Sequence, residues 1–149
     1  FSAMCVSIAR LVSADAARMH QVERWCFSLP WSEEQCAAAL GQESFAAFGV
    51  FRGSALAGYI SLYHVAREIE ILNLAVLPQE RRRGHGRRLT RVVLRLARKL
   101  GMEKAFLEVR SDNVPAVSLY LACGFRYEGI RRKYYADGTD AHIYVCSLR

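Results

Sequence analysis

The sequence has no long apolar run, no closely paired cysteines and no cluster of histidines. None of its apolar stretches approaches the roughly 20 residues that a membrane-spanning helix needs, and its start lacks the apolar core of a secretory signal peptide. The five cysteines form no C-x-x-C pair and the four histidines are scattered, which argues against a zinc site and a disulfide framework. We therefore expect a cytoplasmic protein with reduced cysteines, no bound metal and no membrane partner.

Acidic residues are missing from one part of the chain. Residues 81–99 contain nine Lys or Arg and no Asp or Glu, so the formal net charge of +7 is concentrated there. A local positive field indicates an acidic partner. Composition leaves three such partners open: a phosphorylated cofactor, a nucleic acid or an anionic surface.

The length and the order of the apolar patterns predict one mixed α/β domain. With 149 residues, of which 52% are hydrophobic, the chain can bury one core. We expect residues 4–149 to form it, and residues 1–3, ahead of a methionine, to be a remnant outside it. The patterns run β-α-α-β-β-β-α-β-α-β-β. Short connections predict antiparallel pairing of the three consecutive strands, while a strand reached through a helix should be parallel, giving a mixed sheet with helices on both faces.

Several polar residues mark where helices should begin. Ser13 is expected to cap the first helix, and Ser32 with Gln35 three residues later fits a capping box for the second. Asn113 precedes Pro115 and is expected to cap the last helix. Trp31, just before a cap, is typical of a hydrophobic staple, although aromatic residues on such loops also line pockets.

The segment 68–100 reads as an apolar strand, a basic turn and a long amphipathic helix. A glycine-containing turn that opens a helix suits an anion, because its first N–H groups are free and the helix dipole is positive there. Arg87 and Arg88 exclude a P-loop, and Leu89 stands where the dinucleotide pattern needs a third glycine. What remains is Arg-x-x-Gly-x-Gly, beginning at Arg81.

Glu108 is the main candidate for chemistry. It is flanked by Leu107 and Val109 in a central strand, where burial should raise the pKa of a carboxylate and suit it to act as a general base. The alternative is a structural ion pair with an arginine such as Arg110 or Arg131. Tyr120, between two leucines on a helix, is equally open between a core residue and a proton donor.

Together these patterns resemble the GNAT superfamily of N-acetyltransferases. The element order matches, and Arg81-x-x-Gly84-x-Gly86 fits the family's acetyl-CoA signature after a strand and before a helix. Further stretches resemble the RimI type, which acetylates the N-terminal alanine of a small-subunit ribosomal protein. They are Pro30-Trp31-Ser32-Glu33, Asn73-Leu74-Ala75-Val76, Leu107-Glu108-Val109-Arg110, Asn113, Leu119-Tyr120, Gly124-Phe125, Arg131-Arg132 and Tyr134-Tyr135.

The resemblance implies a role for each matching position. Two neighbouring strands should part to admit acetyl-CoA, with Glu108 as general base and Tyr120 as general acid. No metal is implied. Trp31 and Tyr134 would contact the acceptor. The cofactor would be bound by Leu74, Ala75, Val76, Arg82, Arg83, Gly84, His85, Gly86, Arg87 and Asn113.

The acceptor is the least defined part of this expectation. His85 stands where the family often has an apolar residue, and the loop 136–140 is short for the RimI type. The first hypothesis is a ribosomal-protein N-terminus, and the alternative is a lysine, a polyamine or another small amine. A third hypothesis is an RNA-binding module built on the arginines of residues 87–98. This segment has no aromatic residues between its arginines, and the hypothesis gives Glu108 and Tyr120 no role. We expect no direct nucleic-acid partner.

Overall fold

The computed structural model describes residues 5–149, and the expectation about residues 1–3 lies outside them. In this part of the chain a seven-stranded sheet is accompanied by four α-helices and by two short 3-10 turns, Ser13–Asp15 and Pro78–Glu80. The helices are α1 Ala16–Cys26, α2 Glu33–Leu40, α3 His85–Lys99 and α4 Val114–Ala122. The strands are β1 Val6–Arg10, β2 Phe45–Arg52, β3 Ala55–Val65, β4 Glu68–Val76, β5 Lys104–Arg110, β6 Arg126–Arg131 and β7 Ala141–Ser147.

The strands lie in the order β1-β2-β3-β4-β5-β7-β6. Every neighbouring pair is antiparallel except β4 and β5, which are parallel because α3 carries the chain from one to the other. The closing hairpin folds back so that β7 lies between β5 and β6. The predicted element order and mixed sheet are therefore confirmed.

Helices cover both faces of the sheet, as predicted. On β2 and β3, Ala47 and Tyr59 are buried with Met19 and Val22 of α1, in a core that also includes residues of α2. Their neighbours Ala46 and Ile60 point the other way, into a core that includes Leu89 and Val93 of α3. This alternation follows from the two-residue period of a strand, which sends successive side chains to opposite faces.

Two of the three predicted helix caps are present. Ser32 Oγ accepts a hydrogen bond from the Gln35 N–H at 3.1 Å, and Gln35 Oε1 accepts from the Ser32 N–H at 2.9 Å. Asn113 Oδ1 accepts from the Ala116 N–H at 3.2 Å. The prediction for Ser13 is wrong, because α1 begins three residues later and the Asp15 carboxylate accepts from the Val12 N–H at 2.8 Å.

None of the helices within residues 5–149 has the length and apolarity that crossing a membrane requires.

Candidate active site

The two parallel strands separate in the middle of the sheet. Their pairing runs from Glu68 opposite Lys104 to Ile71 opposite Leu107 and then stops. β4 continues alone on that side to Val76, whereas β5 stays paired with β7 along its whole length. The register with β3 also shifts at this point, as a bulge does. The result is the expected parting of two strands, with main-chain N–H and C=O groups of β4 along one edge.

A cleft of about 880 Å³ lies where the end of β4 meets the first turns of α3 and α4. Nine of the ten residues predicted to bind the cofactor line it: Leu74, Ala75, Val76, Arg82, Gly84, His85, Gly86, Arg87 and Asn113. Arg83 is outside this lining, and its guanidinium lies 3.9 Å from Glu80. The structure therefore brings together residues from three separate segments of the chain.

The first turn of α3 presents free N–H groups to this cleft. Gly84 caps the helix with a left-handed φ of 80°, and no side chain caps it. The first main-chain bond of the helix joins the Arg88 N–H to the Gly84 carbonyl, so the three preceding N–H groups remain available for a ligand. A Cβ on Gly86 would lie 2.9 Å from Leu119 Cδ1, which makes this a close approach that glycine permits. These features fit a diphosphate held by main-chain donors.

Glu80, directly before the basic run, holds the turn in place. Its carboxylate accepts two hydrogen bonds from Arg52, at 2.9 and 3.1 Å, and lies 3.0 Å from Nε2 of His85. The hydrogen bonds from Arg52 are the main reason why the pKa of Glu80 falls to about 2. His85 is 4% exposed, so its imidazole is part of the fold beneath the turn. Sequence reasoning missed Glu80, although an acid at the edge of a basic run is a signal for such a pair.

Glu108 forms an ion pair with Arg131 of β6. Of the two open interpretations, the ion pair is thus present, and it involves Arg131 because Arg110 is bound to Asp112 and Asp137 at 3.2 and 2.5 Å. Glu70, which sequence reasoning missed, lies near Glu108. Burial and then the charge of Glu108 raise the pKa of Glu70. The sequence gives no local sign that Glu70 lies near Glu108, because this proximity follows from the parallel pairing of β4 and β5.

The loop 132–140 packs against Arg110, the last residue of β5. Asp137 and Thr139 both accept hydrogen bonds from Arg110, whose guanidinium also lies 4.9 Å from the ring of Tyr135. The ring of Tyr134 is 5.8 Å from the guanidinium of Arg131 and is 52% exposed. Tyr134 is therefore next to the partner of Glu108 and accessible to a ligand.

Tyr120 lies one residue beyond the part of α4 that lines the cleft. It is 5% exposed and its ring packs edge-on against Phe125, with centroids 5.5 Å apart. Burial raises the pKa of Tyr120, so its hydroxyl keeps its proton. The preceding residue, Leu119, lines the cleft, whereas Tyr120 is not among the lining residues.

Trp31 is not among the residues that line the cleft. It lies on the α1–α2 loop, which we define as residues 27–32 and of which the first residue, Phe27, does line the cleft. Its ring packs against Phe45 at 6.1 Å, and Phe45 packs against Tyr63 at 5.8 Å. Tyr63 in turn lines a second recess, of about 510 Å³, together with Glu70 and Phe106. A row of aromatic rings thus leads from Trp31 to the recess that contains Glu70. Within residues 5–149, no three His, Cys, Asp or Glu side chains are grouped so that they could bind a metal.

The fold and the cleft match one known family of proteins. The acetyltransferase (GNAT) family matches residues 16–125, which is more than half of the chain, so the chain belongs to this family. Both the predicted class of enzyme, an N-acetyltransferase, and the predicted fold are confirmed.

Within that family, the chain is similar to enzymes that acetylate protein N-termini. It is 32% identical to the ribosomal protein bS18-alanine N-acetyltransferase of Escherichia coli K12 over 92% of this chain and 93% of that protein. It is 36% identical to the N-alpha-acetyltransferase RimI of Mycobacterium tuberculosis, over 92% and 89% of the two chains. The crystal structure of the E. coli ribosomal-protein-S18-alanine N-acetyltransferase superposes with a TM-score of 0.89 at 31% identity, covering 97% of this chain and 94% of that one.

Proposed function

We propose that the chain transfers the acetyl group of acetyl-CoA to the N-terminal α-amine of a ribosomal protein that begins with alanine. One observation carries this proposal: β4 and β5 part near the start of α3, which no side chain caps, and Glu108 lies on β5 just beyond the last residue that pairs with β4. The similarity to enzymes named for acetylation of bS18 at alanine supports the choice of acceptor.

The residues of the cleft would hold acetyl-CoA largely through the main chain. The free edge of β4 at Leu74, Ala75 and Val76 would bond the pantetheine arm as a strand would. The turn of residues 82–87 would hold the diphosphate through its N–H groups, and Asn113 would contact the cofactor from the start of α4. When bound, acetyl-CoA supplies an acetyl thioester that an amine can attack.

Glu108 would accept a proton from the acceptor. An α-amine has a pKa of about 7.7–8.0, so at neutral pH most of it is protonated and cannot attack. The carboxylate of Glu108 can take this proton directly or through water. An incoming ammonium group would compete with Arg131 for Glu108, and the nearby Glu70 adds negative charge that favours its arrival.

Tyr120 would supply a proton at the sulfur end of the reaction. Its buried hydroxyl stays protonated, which is the state that a general acid needs before the reaction. The edge-on contact with Phe125 fixes the direction of its ring.

The acceptor would approach over the face that carries the aromatic row. Tyr134 is exposed beside Arg131, and Trp31 lies at the far end of the row through Phe45 and Tyr63. We propose that these two aromatic residues contact the first residues of the acceptor. Aromatic side chains suit this purpose because they offer large, rigid contact surfaces.

A panel of acceptors tests the proposal. The chain is incubated with acetyl-CoA and one of three acceptors: an alanine-led peptide, the same peptide with a blocked N-terminus and an internal lysine, or spermidine. We expect thiol release with the alanine-led peptide alone, and mass spectrometry should locate the acetyl group on its α-amine. Release with spermidine or with the blocked peptide, and none with the free N-terminus, would overturn the proposed acceptor and favour a small amine or a lysine.

A further inference from the structure

Glu23, in the middle of α1, is a buried carboxylate that the proposed reaction does not use. It is 3% exposed, and it takes part in none of the ion pairs found among residues 5–149. Its Oε1 accepts the N–H of Trp31 at 2.9 Å, and its Oε2 accepts the hydroxyl of Tyr59. Burying a carboxylate without a cation is unfavourable, so the two hydrogen bonds must offset that cost.

Tyr59 is suited to remain the donor in this arrangement. It is fully buried on β3, and its pKa is raised by burial and then by the hydrogen bond to Glu23. Its hydroxyl therefore keeps its proton and links the sheet to α1. Through Glu23, the sheet is linked in turn to the main chain of Trp31.

His20 contacts the main-chain carbonyl of Trp31, the residue whose N–H is bound by Glu23. Its Nδ1 lies 2.7 Å from the carbonyl oxygen of Trp31. A carbonyl can only accept, so Nδ1 must carry a proton and donate it. His20 and Glu23 are three residues apart on α1 and thus project from the same side of the helix. One helix therefore binds both the N–H and the C=O of Trp31.

This double contact fixes the end of the α1–α2 loop that faces the sheet. The capping box of Ser32 and Gln35 follows at once and ties the next residue to α2. Two residues before Trp31, by contrast, Leu29 is 90% exposed. The hydrogen bonds of the loop thus concentrate on the position whose ring begins the aromatic row toward Glu70.

We propose that Glu23 is a positioning residue for the acceptor: together with Tyr59 and His20 it holds Trp31 so that the α1–α2 loop forms a fixed wall of the acceptor site. This rests on the proposed function only for the identity of the ligand. Cys26 and Phe27 line the cleft that would hold acetyl-CoA, but Trp31 does not. We therefore expect the loss of the contacts to Trp31 to change the recognition of the acceptor and not of the cofactor.

Three variants of the full chain test this role. Glu23→Ala removes both acceptors, and Tyr59→Phe removes one hydroxyl at the same volume. Tyr144→Phe is the matched control, since Tyr144 is a buried tyrosine of the core on the α3 face. We expect Glu23→Ala and Tyr59→Phe to raise the KM for an alanine-led peptide, by about tenfold for one hydrogen bond to a charged group, without raising the KM for acetyl-CoA. Glu23→Gln, which keeps an acceptor for the Trp31 N–H, should lose less than Glu23→Ala.

Amide hydrogen exchange at Trp31 gives a readout that does not need activity. The exchange should be slow in the wild-type chain and in Tyr144→Phe, and fast in Glu23→Ala. Slow exchange at Trp31 in folded Glu23→Ala would overturn the proposal, and so would fast exchange with an unchanged acceptor KM. If the wild-type chain acetylates no amine, the proposed function fails, while exchange still decides whether Glu23 holds Trp31. If Glu23→Ala does not fold, the KM of Tyr59→Phe for the alanine-led peptide decides: a raised value supports the proposal, and an unchanged value would overturn it.

Discussion

The two sides of the candidate active site use their carboxylates in opposite ways. On the proposed cofactor side, which comprises the end of β4 and the turn of residues 80–87, Glu80 lies close to Arg52 and Arg83, and the hydrogen bonds from Arg52 lower its pKa to about 2. On the proposed acceptor side, which comprises Glu70, Glu108 and the loop 132–140, Glu70 is half-buried near the like charge of Glu108, and its pKa is raised. The charge of Glu80 therefore stabilises the folded chain, whereas the charge of Glu70 destabilises it.

This difference agrees with the proposed division of the site into a side that binds acetyl-CoA and a side where the reaction takes place. The cofactor side offers main-chain donors on a turn that Glu80 keeps rigid, and such donors need no particular side chain. The acceptor side keeps two carboxylates close together, an arrangement that costs stability and is typical of catalytic sites. Variants on the two sides should accordingly fail in different ways.

Glu108→Gln should have the largest effect and should act on the reaction alone. Removing a general base is expected to lower kcat by about 10²–10⁴-fold, while the dissociation constant of CoA stays unchanged because the cofactor cleft is intact. Stopped-time assays and calorimetric titration of CoA measure the two quantities. Glu128→Gln, an exposed glutamate on β6, is the control. An unchanged kcat would remove Glu108 from its proposed role.

Gly58→Ala should damage the cofactor side and the fold together. A Cβ at Gly58 would lie 2.6 Å from the carbonyl oxygen of Ala75 and 3.0 Å from Cα of Val76, so it would push the free edge of β4. We expect a loss of about 1–3 kcal/mol in the free energy of unfolding and weaker CoA binding. Urea unfolding and CoA titration measure both.

The matched control for this change is Gly41→Ala. A Cβ at Gly41 would meet its nearest neighbour at an ordinary 3.5 Å, and the φ of −87° suits any residue. If both variants bind CoA like the wild-type chain, the edge of β4 at Ala75 and Val76 does not hold the cofactor.

Glu80→Gln should weaken the fold in a way that depends on pH. The pKa of Glu80 is lowered in the folded chain, so its contribution is complete above the unfolded value of about 4.3 and disappears as the pH falls toward 2. We expect the variant to be less stable by about 1 kcal/mol at pH 7, with a difference that shrinks in acid. Thermal unfolding at a series of pH values measures it. A constant difference across that range would mean that the charge of Glu80 is not what stabilises the turn.

Glu70→Gln should have the smallest effect, and its sign should be the reverse. The pKa of Glu70 is raised in the folded chain, so its ionised form opposes folding at neutral pH. The variant should unfold at a slightly higher temperature than the wild-type chain at pH 7, and the gain should vanish below about pH 4, where the carboxyl is protonated in both states. A lower unfolding temperature at pH 7 would contradict the assigned cost of this charge.

Much of the turn before α3 and of the helix caps could be predicted because these features are encoded locally. Gly84 and Gly86 lie at the start of α3, at its N-cap and in its first turn, and the capping residues Ser32 and Asn113 accept hydrogen bonds from residues three positions further on. The prediction at Ser13 was wrong because a 3-10 turn, Ser13–Asp15, precedes α1 and moves the start of the helix past Ser13.

The acceptor side could be predicted only in part, because its contacts join distant positions. Glu108 and Arg131 were each identified as candidates, but pairing with Arg131 and not Arg110 depends on how the loop 132–140 engages Arg110. Glu23 and Tyr59 are 36 residues apart, and nothing near either residue indicates the other.

The sequence by itself determined the order of strands and helices, the basic turn and the family, since these depend on the period of apolar residues and on short motifs. The tertiary structure alone decided where β4 and β5 part, which arginine faces Glu108, and how α1 binds Trp31. The physical reason is that hydrogen bonds and charge interactions act over a few ångströms in space. Which groups come that close is set by the packing of the whole sheet, and not by their distance along the chain.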